Sequence, residues 1–248
     1  MSVEWQAPAV VLSARPHGEG AALVTLLTEA YGRHAGLAKG GASRAQAAVW
    51  QPGNLIEARW LARLPEQLGA LSGDLVHATA ALAMEDPLAL ALLSSATALA
   101  EAALPEREAH PAVFKGLVSI LARLGQGPEE VFADLVRWEA LLLADLGYGL
   151  DLSACAATGD TQDLTHVSPR SGRAVSMRAA IHYLDRLLLL PPFLLHEGEQ
   201  GEPQDWLAGL RLTGHFLDKH LFGATHRPLP DARQRLQDRL AAIVEGGG

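Results

Sequence analysis

The hydrophobic pattern changes period near residue 78, and that change limits what the chain can fold into. Before it, apolar and β-branched residues come in short runs: 9–13, 23–28, 34–39, 54–63 and 68–75. Turn residues separate them. The stretch 15–20 carries Pro and Gly, Tyr31-Gly32-Arg33 turns the chain again, and Lys39-Gly40-Gly41-Ala42-Ser43-Arg44 reads as a flexible loop. In the fourth run Leu55, Glu57, Arg59 and Leu61 alternate with Ile56, Ala58, Trp60 and Ala62, so Arg59 and Trp60 point to opposite faces. Five short strands at this spacing suit an OB-type barrel, although periodicity alone does not separate that fold from another small barrel.

After residue 78 Leu and Ala recur at helical spacing. Helices are expected from Asp86 or Pro87 to about Ala103, from Pro111 to Leu124, and from Pro128 to Leu146. Ser176 is expected to cap a further helix that Pro191 and Pro192 stop after Leu190, and two last helices cover about 204–222 and 230–244. The chain reads as α+β and multidomain, with a five-stranded barrel over 1–80 and an all-α domain over 81–245. A polar insert at 147–176 interrupts the second part.

A formal charge of −8 argues against a polyanionic partner until the chain is divided. Residues 1–80 hold six Lys or Arg against six acids, so the acidity belongs to the rest. No acid lies between Glu29 and Glu57, a window that carries Arg33, His34, Lys39 and Arg44. A second acid-free window, 164–184, carries Arg170, Arg173 and Arg178. Each reads either as a phosphate-binding stripe or as a solvated loop.

The insert contains the only cysteine. Cys155 is followed at metal-pair spacing by Thr158, while Ser176 and Ala179 stand where a second pair would fall. The layout is that of a degenerate, metal-free zinc-ribbon-like insert, since a structural zinc needs four Cys or His ligands. His166 and His182 lie nearby without pair spacing, and Cys155 is expected to be a small buried residue.

Enzymatic signals are thin. No Gly-rich loop ends in Gly-Lys-Ser or Gly-Lys-Thr, and Ser13, Ser43 and Ser72 lie outside any nucleophile-elbow pattern. His215 and His220 are five apart with no carboxylate motif beside them, so the ten histidines read as surface or capping groups. The expectation is a non-enzyme without a cofactor. A single cysteine permits no disulfide, and the apolar run 187–195 is broken by prolines and falls short of the roughly 20 residues that span a bilayer. A cytoplasmic, membrane-free location follows as an expectation.

Five stretches in order carry a family likeness: Val10-Val11-Leu12 before Arg15-Pro16-His17-Gly18-Glu19-Gly20, then Leu146-Gly147-Tyr148-Gly149-Leu150-Asp151-Leu152, Cys155-Ala156-Ala157-Thr158-Gly159, Val167-Ser168-Pro169-Arg170-Ser171-Gly172-Arg173-Ala174-Val175 and Leu190-Pro191-Pro192-Phe193-Leu194. Together they resemble the RecO family of bacterial recombination mediators. The resemblance decides for the OB-type barrel. It implies binding of single- and double-stranded DNA, annealing of complementary strands without ATP and, with RecR, loading of RecA onto strands coated by single-strand-binding protein (SSB), in a bacterial, nucleoid-associated setting. Phosphate contacts are then expected from Arg15, Arg33, His34, Lys39, Arg44, Arg59, Arg170 and Arg173, with Trp50 or Trp60 as a stacking group. The acidic SSB tail is expected on the helical part, at Arg123, Arg137 and Trp138. Two rival readings remain: an OB-type scaffold that binds a protein peptide and has no DNA function, and a small metal-dependent hydrolase that uses the histidines.

Overall fold

The computed structural model describes residues 3–64 and 66–246, without the side chains of Arg44 and Ala45. It divides into two compact units, Met1–Pro128 and Glu129–Gly248.

The first unit is built on five strands: β1 (Val3–His17), β2 (Ala21–Thr28), β3 (Gly32–Ala38), β4 (Leu55–Ala62) and β5 (Gly69–His77). They form a closed barrel in the order β1-β2-β3-β5-β4, with β1 pairing antiparallel to both β2 and β4. Strand β1 runs on to His17, so Arg15 and His17 belong to it, and only 18–20 form the turn expected from residue 15. The closing pair is β3 with β5, parallel, at Gly36–Gly69. Bulk explains the glycines. A Cβ on Gly69 would lie 2.3 Å from Trp60 Cε2, so the indole fills the barrel where two side chains are missing. Its Nε1 donates to the Ala35 carbonyl at 3.0 Å. Trp5 stacks on Trp60 with ring centres 6.0 Å apart and on Tyr31 at 4.8 Å, and the His34 ring meets both tryptophans edge-on.

A short helix, α1 (Arg44–Ala47), lies between β3 and β4. Helices α2 (Thr79–Ala83), α3 (Pro87–Ala103) and α4 (Pro111–Arg123) follow the strands, and α3 packs on β1 and β2. The strands thus end at His77, near the change of period, while the compact unit continues to Pro128. Asp86 starts α3 as the sequence suggests, its carboxylate accepting from the Leu88 and Ala89 N–H groups.

In the second unit α5 (Phe132–Asp145) is preceded by a 3-10 turn at Pro128–Val131, so the helix begins later than Pro128. The region is not all-α. Strands β6 (Leu164–Val167), β7 (Ala174–Ser176) and β8 (Leu188–Leu189) make a small sheet in the order β7-β6-β8. The helix expected from Ser176 to Leu190 is one turn, α6 (Met177–Ala180). Pairing of Leu188 and Leu189 with β6 holds this stretch extended, the Leu190 N–H bonds the Thr165 carbonyl, and Pro191 favours extended backbone before it. Helices α7 (Pro203–Leu217) and α8 (Asp231–Gly246) complete the unit. Beyond α7 the helix widens into a π-turn at Asp218–Phe222.

Glu139 of α5 and Arg233 of α8 form a fully buried pair, and Thr213 of α7 donates to the same carboxylate. Arg233 also donates to the Leu210 carbonyl at 2.7 Å. A single charge left in this interior would have no partner, so Glu139→Ala is expected to lower stability by about 3–5 kcal/mol in denaturant unfolding. Glu139→Met with Arg233→Met is expected to recover most of that loss.

Candidate nucleic-acid interface

The structure sorts the first unit's expected phosphate contacts into spent and available groups. Arg33 is spent: its Nε donates to the Leu104 carbonyl at 2.8 Å and its Nη1 lies 3.7 Å from Glu106. The Arg107 N–H completes the tie by bonding the Arg33 carbonyl. His34 is also removed from the surface, being 7% exposed among the tryptophans. Both belong to the fold. The Arg44 side chain lies outside the described residues.

Arg15, Lys39 and Arg59 remain at the surface. Lys39 and Arg59 border one cavity of about 580 Å³, together with Gln6, Ser72 and the acids Glu57 and Asp74. Arg59 is held by Glu4, which raises its already high pKa through a hydrogen bond and charge attraction. Lys39 makes no hydrogen bond or ion pair among the described residues. Arg15 borders a second cavity of about 220 Å³ walled by Ala14, Pro16, Ala22, Gly41, Ala47 and Gln51, with no acid in its lining. The Arg15 side chain is 73% exposed and only loosely paired, 3.9 Å from Glu101. Trp50 lines both cavities.

Neither expected stacking group is available. Trp50 is 3% exposed and Trp60 1%, so both belong to the core where one was expected to lie outside. Arg59 and Trp60 lie on opposite faces of β4 as alternation requires, and the structure puts Trp60 inside and Arg59 outside. Trp50 lies after α1, in a stretch with no period to read.

In the second unit Arg170 is exposed, and Arg173 is exposed but bridges to Asp151 at 3.2 Å. Sequence reasoning missed Lys219 and His215 beside them. Lys219 Nζ donates to the carbonyls of Pro169 and Arg170 at 2.9 and 2.8 Å, and His215 Nε2 lies 3.1 Å from the Pro169 carbonyl. These groups are 46–50 residues apart in the chain, and no local pattern joins them.

The partner site expected at Arg137 and Trp138 is occupied from within. Arg137 donates to the carbonyls of Phe193, His196 and Glu199, pairs with Asp134, and lies over the Phe193 ring. Trp138 is 2% exposed. Arg137 therefore pins the loop after β8 rather than offering a rim to a partner. Arg123, in the last turn of α4, is half-buried and has interactions of its own.

Around Cys155 the structure joins three of the four positions that the sequence pairs. The thiol is buried, and its Sγ accepts from the Ser176 N–H at 3.3 Å and the Ser176 hydroxyl at 3.4 Å. Burial raises its pKa, but these donors, with the Thr158 hydroxyl and the Ala157 N–H, outweigh burial and bring it down to about 6. Ala179 offers no polar group. Among the described residues no group of three or more His, Cys, Asp and Glu is arranged to hold a metal ion.

Two histidines depart from the surface or capping role expected of them, since His34 and His166 are buried, whereas the buried His110 stands at the N-cap position of α4. Burial lowers the pKa of His34 and His166 below 6.5; at His34 the Tyr31 carbonyl opposes this in part. A histidine depressed in the fold stabilises it fully above pH 6.5, and that contribution is lost as pH falls through its folded pKa. Thermal unfolding between about pH 7 and pH 5 is therefore expected to show falling stability, with a smaller fall in His34→Phe.

Comparison with known proteins gives concordant matches over both units. Residues 1–79 match the family described as Recombination protein O N terminal, and residues 84–228 match Recombination protein O C terminal. A protein named DNA repair protein RecO from Granulibacter bethesdensis is 55% identical over 244 residues, covering 98% of each chain. Its namesake from Gluconacetobacter diazotrophicus is 56% identical over 248 residues with the same coverage. A third, from Rhodospirillum centenum, is 55% identical over 240 residues, 96% of this chain and 94% of that one.

Proposed function

Because the chain belongs to the RecO family of DNA repair proteins, we propose that it is a recombination mediator that acts by binding rather than by catalysis. In this reading it holds single- and double-stranded DNA without reading sequence, promotes annealing of complementary strands, and with RecR loads RecA onto SSB-coated single strands. The barrel order supports an OB-type assignment, a fold that often binds oligonucleotides. The polar insert is then a zinc-ribbon-like element in which hydrogen bonds to Cys155 stand where metal bonds would be.

One observation carries the DNA reading. In a chain of net charge −8, the Arg15 cavity has no acid in its lining, and Lys39, which borders the other cavity, makes no ion pair among the described residues. Cations freed from internal pairs can neutralise phosphates and release counterions, a contact that carries no sequence information. The other expected contacts, Arg59, Arg170 and Arg173, join this set at lower free charge, because Arg59 and Arg173 each already hold a carboxylate.

The acidic SSB tail needs apolar surface with cations beside it. Met177, Ile181, Tyr183 and Leu184 are exposed apolar groups, and Arg178 and Arg186 are exposed in the same stretch. That surface takes the role that Arg137 and Trp138 cannot fill.

Fluorescence anisotropy of labelled single-stranded DNA across a salt series tests the proposal. Wild type is expected to lose affinity steeply as salt rises, and an Arg15→Ala, Lys39→Ala variant to show a slope shallower by about 0.7 for each cation removed. Binding that ignores salt, or that the double variant leaves unchanged, would favour the peptide-binding scaffold.

A further inference from the structure

With Trp50 and Trp60 buried, the barrel offers a single strand phosphate contacts but no indole face. The second unit holds an aromatic in the required position. Helix α5 ends in a Schellman arrangement: the Gly147 N–H bonds the Ala144 carbonyl at 3.0 Å and the Tyr148 N–H bonds the Leu143 carbonyl at 2.7 Å. Gly147 takes the left-handed conformation, φ +89°, that this cap requires. The cap fixes the backbone of Tyr148, so the ring is held at a defined place while 42% of the residue stays exposed.

One face of the Tyr148 ring is already covered. It stacks on His220 with centres 4.8 Å apart and planes 11° apart, and His220 in turn stacks on Phe216 at 6.0 Å. The π-turn at Asp218–Phe222 carries His220 and Lys219, and π-turns inside helices concentrate at functional sites. Burial, then the charges of Lys219 and His215, lower the pKa of His220, which disfavours a charge on its ring. One cation lies on the column, Lys219 Nζ being 5.7 Å from the centre of the Phe216 ring. Lys219 is fixed to the carbonyls of Pro169 and Arg170, and Gly172 lies against Leu150 and Phe216, which brings the Arg170–Arg173 turn alongside. Asp151, which pairs with this turn, is occupied by Ser153 and Arg173.

We propose that Tyr148, backed by His220, is a stacking platform for an unpaired nucleobase, with the exposed Arg170 taking an adjacent phosphate. The inference rests on the mediator reading and deepens it by giving the second unit its own single-strand contact. An aromatic face accepts any base, so the contact tolerates sequence as annealing demands. A duplex, whose bases are already stacked on one another, gains nothing from it.

The test compares full-length wild type, Tyr148→Leu and Tyr148→Phe by anisotropy on a base-bearing single strand, an abasic strand of equal length and a duplex. Tyr148→Leu is expected to bind the base-bearing strand about tenfold more weakly with an unchanged salt slope, and Tyr148→Phe to bind as wild type. Abasic strand and duplex are expected to bind all three proteins alike. Equal affinity of wild type and Tyr148→Leu for the base-bearing strand would overturn the platform alone. Weakening by Tyr148→Leu on base-bearing and abasic strands together would also overturn it, because the ring would then act through the fold. If wild type binds none of the three nucleic acids, the mediator reading falls with it.

Discussion

An arginine guanidinium stays charged at any pH a protein meets, so each one must be solvated, paired or surrounded by carbonyls. Three arginines meet that requirement inside the structure and organise it. Arg33 ties β3 to the segment after α3, Arg137 ties α5 to the loop after β8, and Arg233 joins α8 to α5 and α7. What these cations do for the fold removes them from any surface role. The capacity of this acidic chain to hold a polyanion therefore depends on the cations that have no such task, Lys39 and Arg15 foremost.

The aromatic groups divide along the same line. Trp5, Trp60 and His34 fill the barrel against two glycines at its closing strand pair, which commits them to packing. Tyr148 is instead placed by a helix cap, a backbone device that leaves much of the ring in solvent. In the proposed function, phosphate contact and base contact thus draw on different residues. Both are indifferent to sequence, as the proposed mediator role requires.

How much of this the sequence discloses depends on the range of each interaction. Alternation along β4 put Arg59 and Trp60 on opposite faces without saying which face is the core, and Asp86 before Pro87 marked the start of α3, because both signals are local. The sheet of β6, β7 and β8 was not readable, since strands of four, three and two residues carry no measurable period. The roles of Arg33 and Arg137 were hidden for another reason: their acceptors lie 71 and 56 residues further along the chain. A cation in an acid-free window looks available until its distant acceptors are known. Cys155 shows the opposite case, in which pair spacing with Thr158 and Ser176 indicated residues that do meet at one sulfur.

Hydrogen–deuterium exchange of the full chain, with and without saturating single-stranded DNA, tests most directly the claim that the cations left over from the fold make the interface. The account predicts slower exchange over 39–43 and over 168–173, with no change in the stretch after β8 that Arg137 pins. Protection confined to that stretch, or none at 39–43 and 168–173 while DNA is bound, would contradict it.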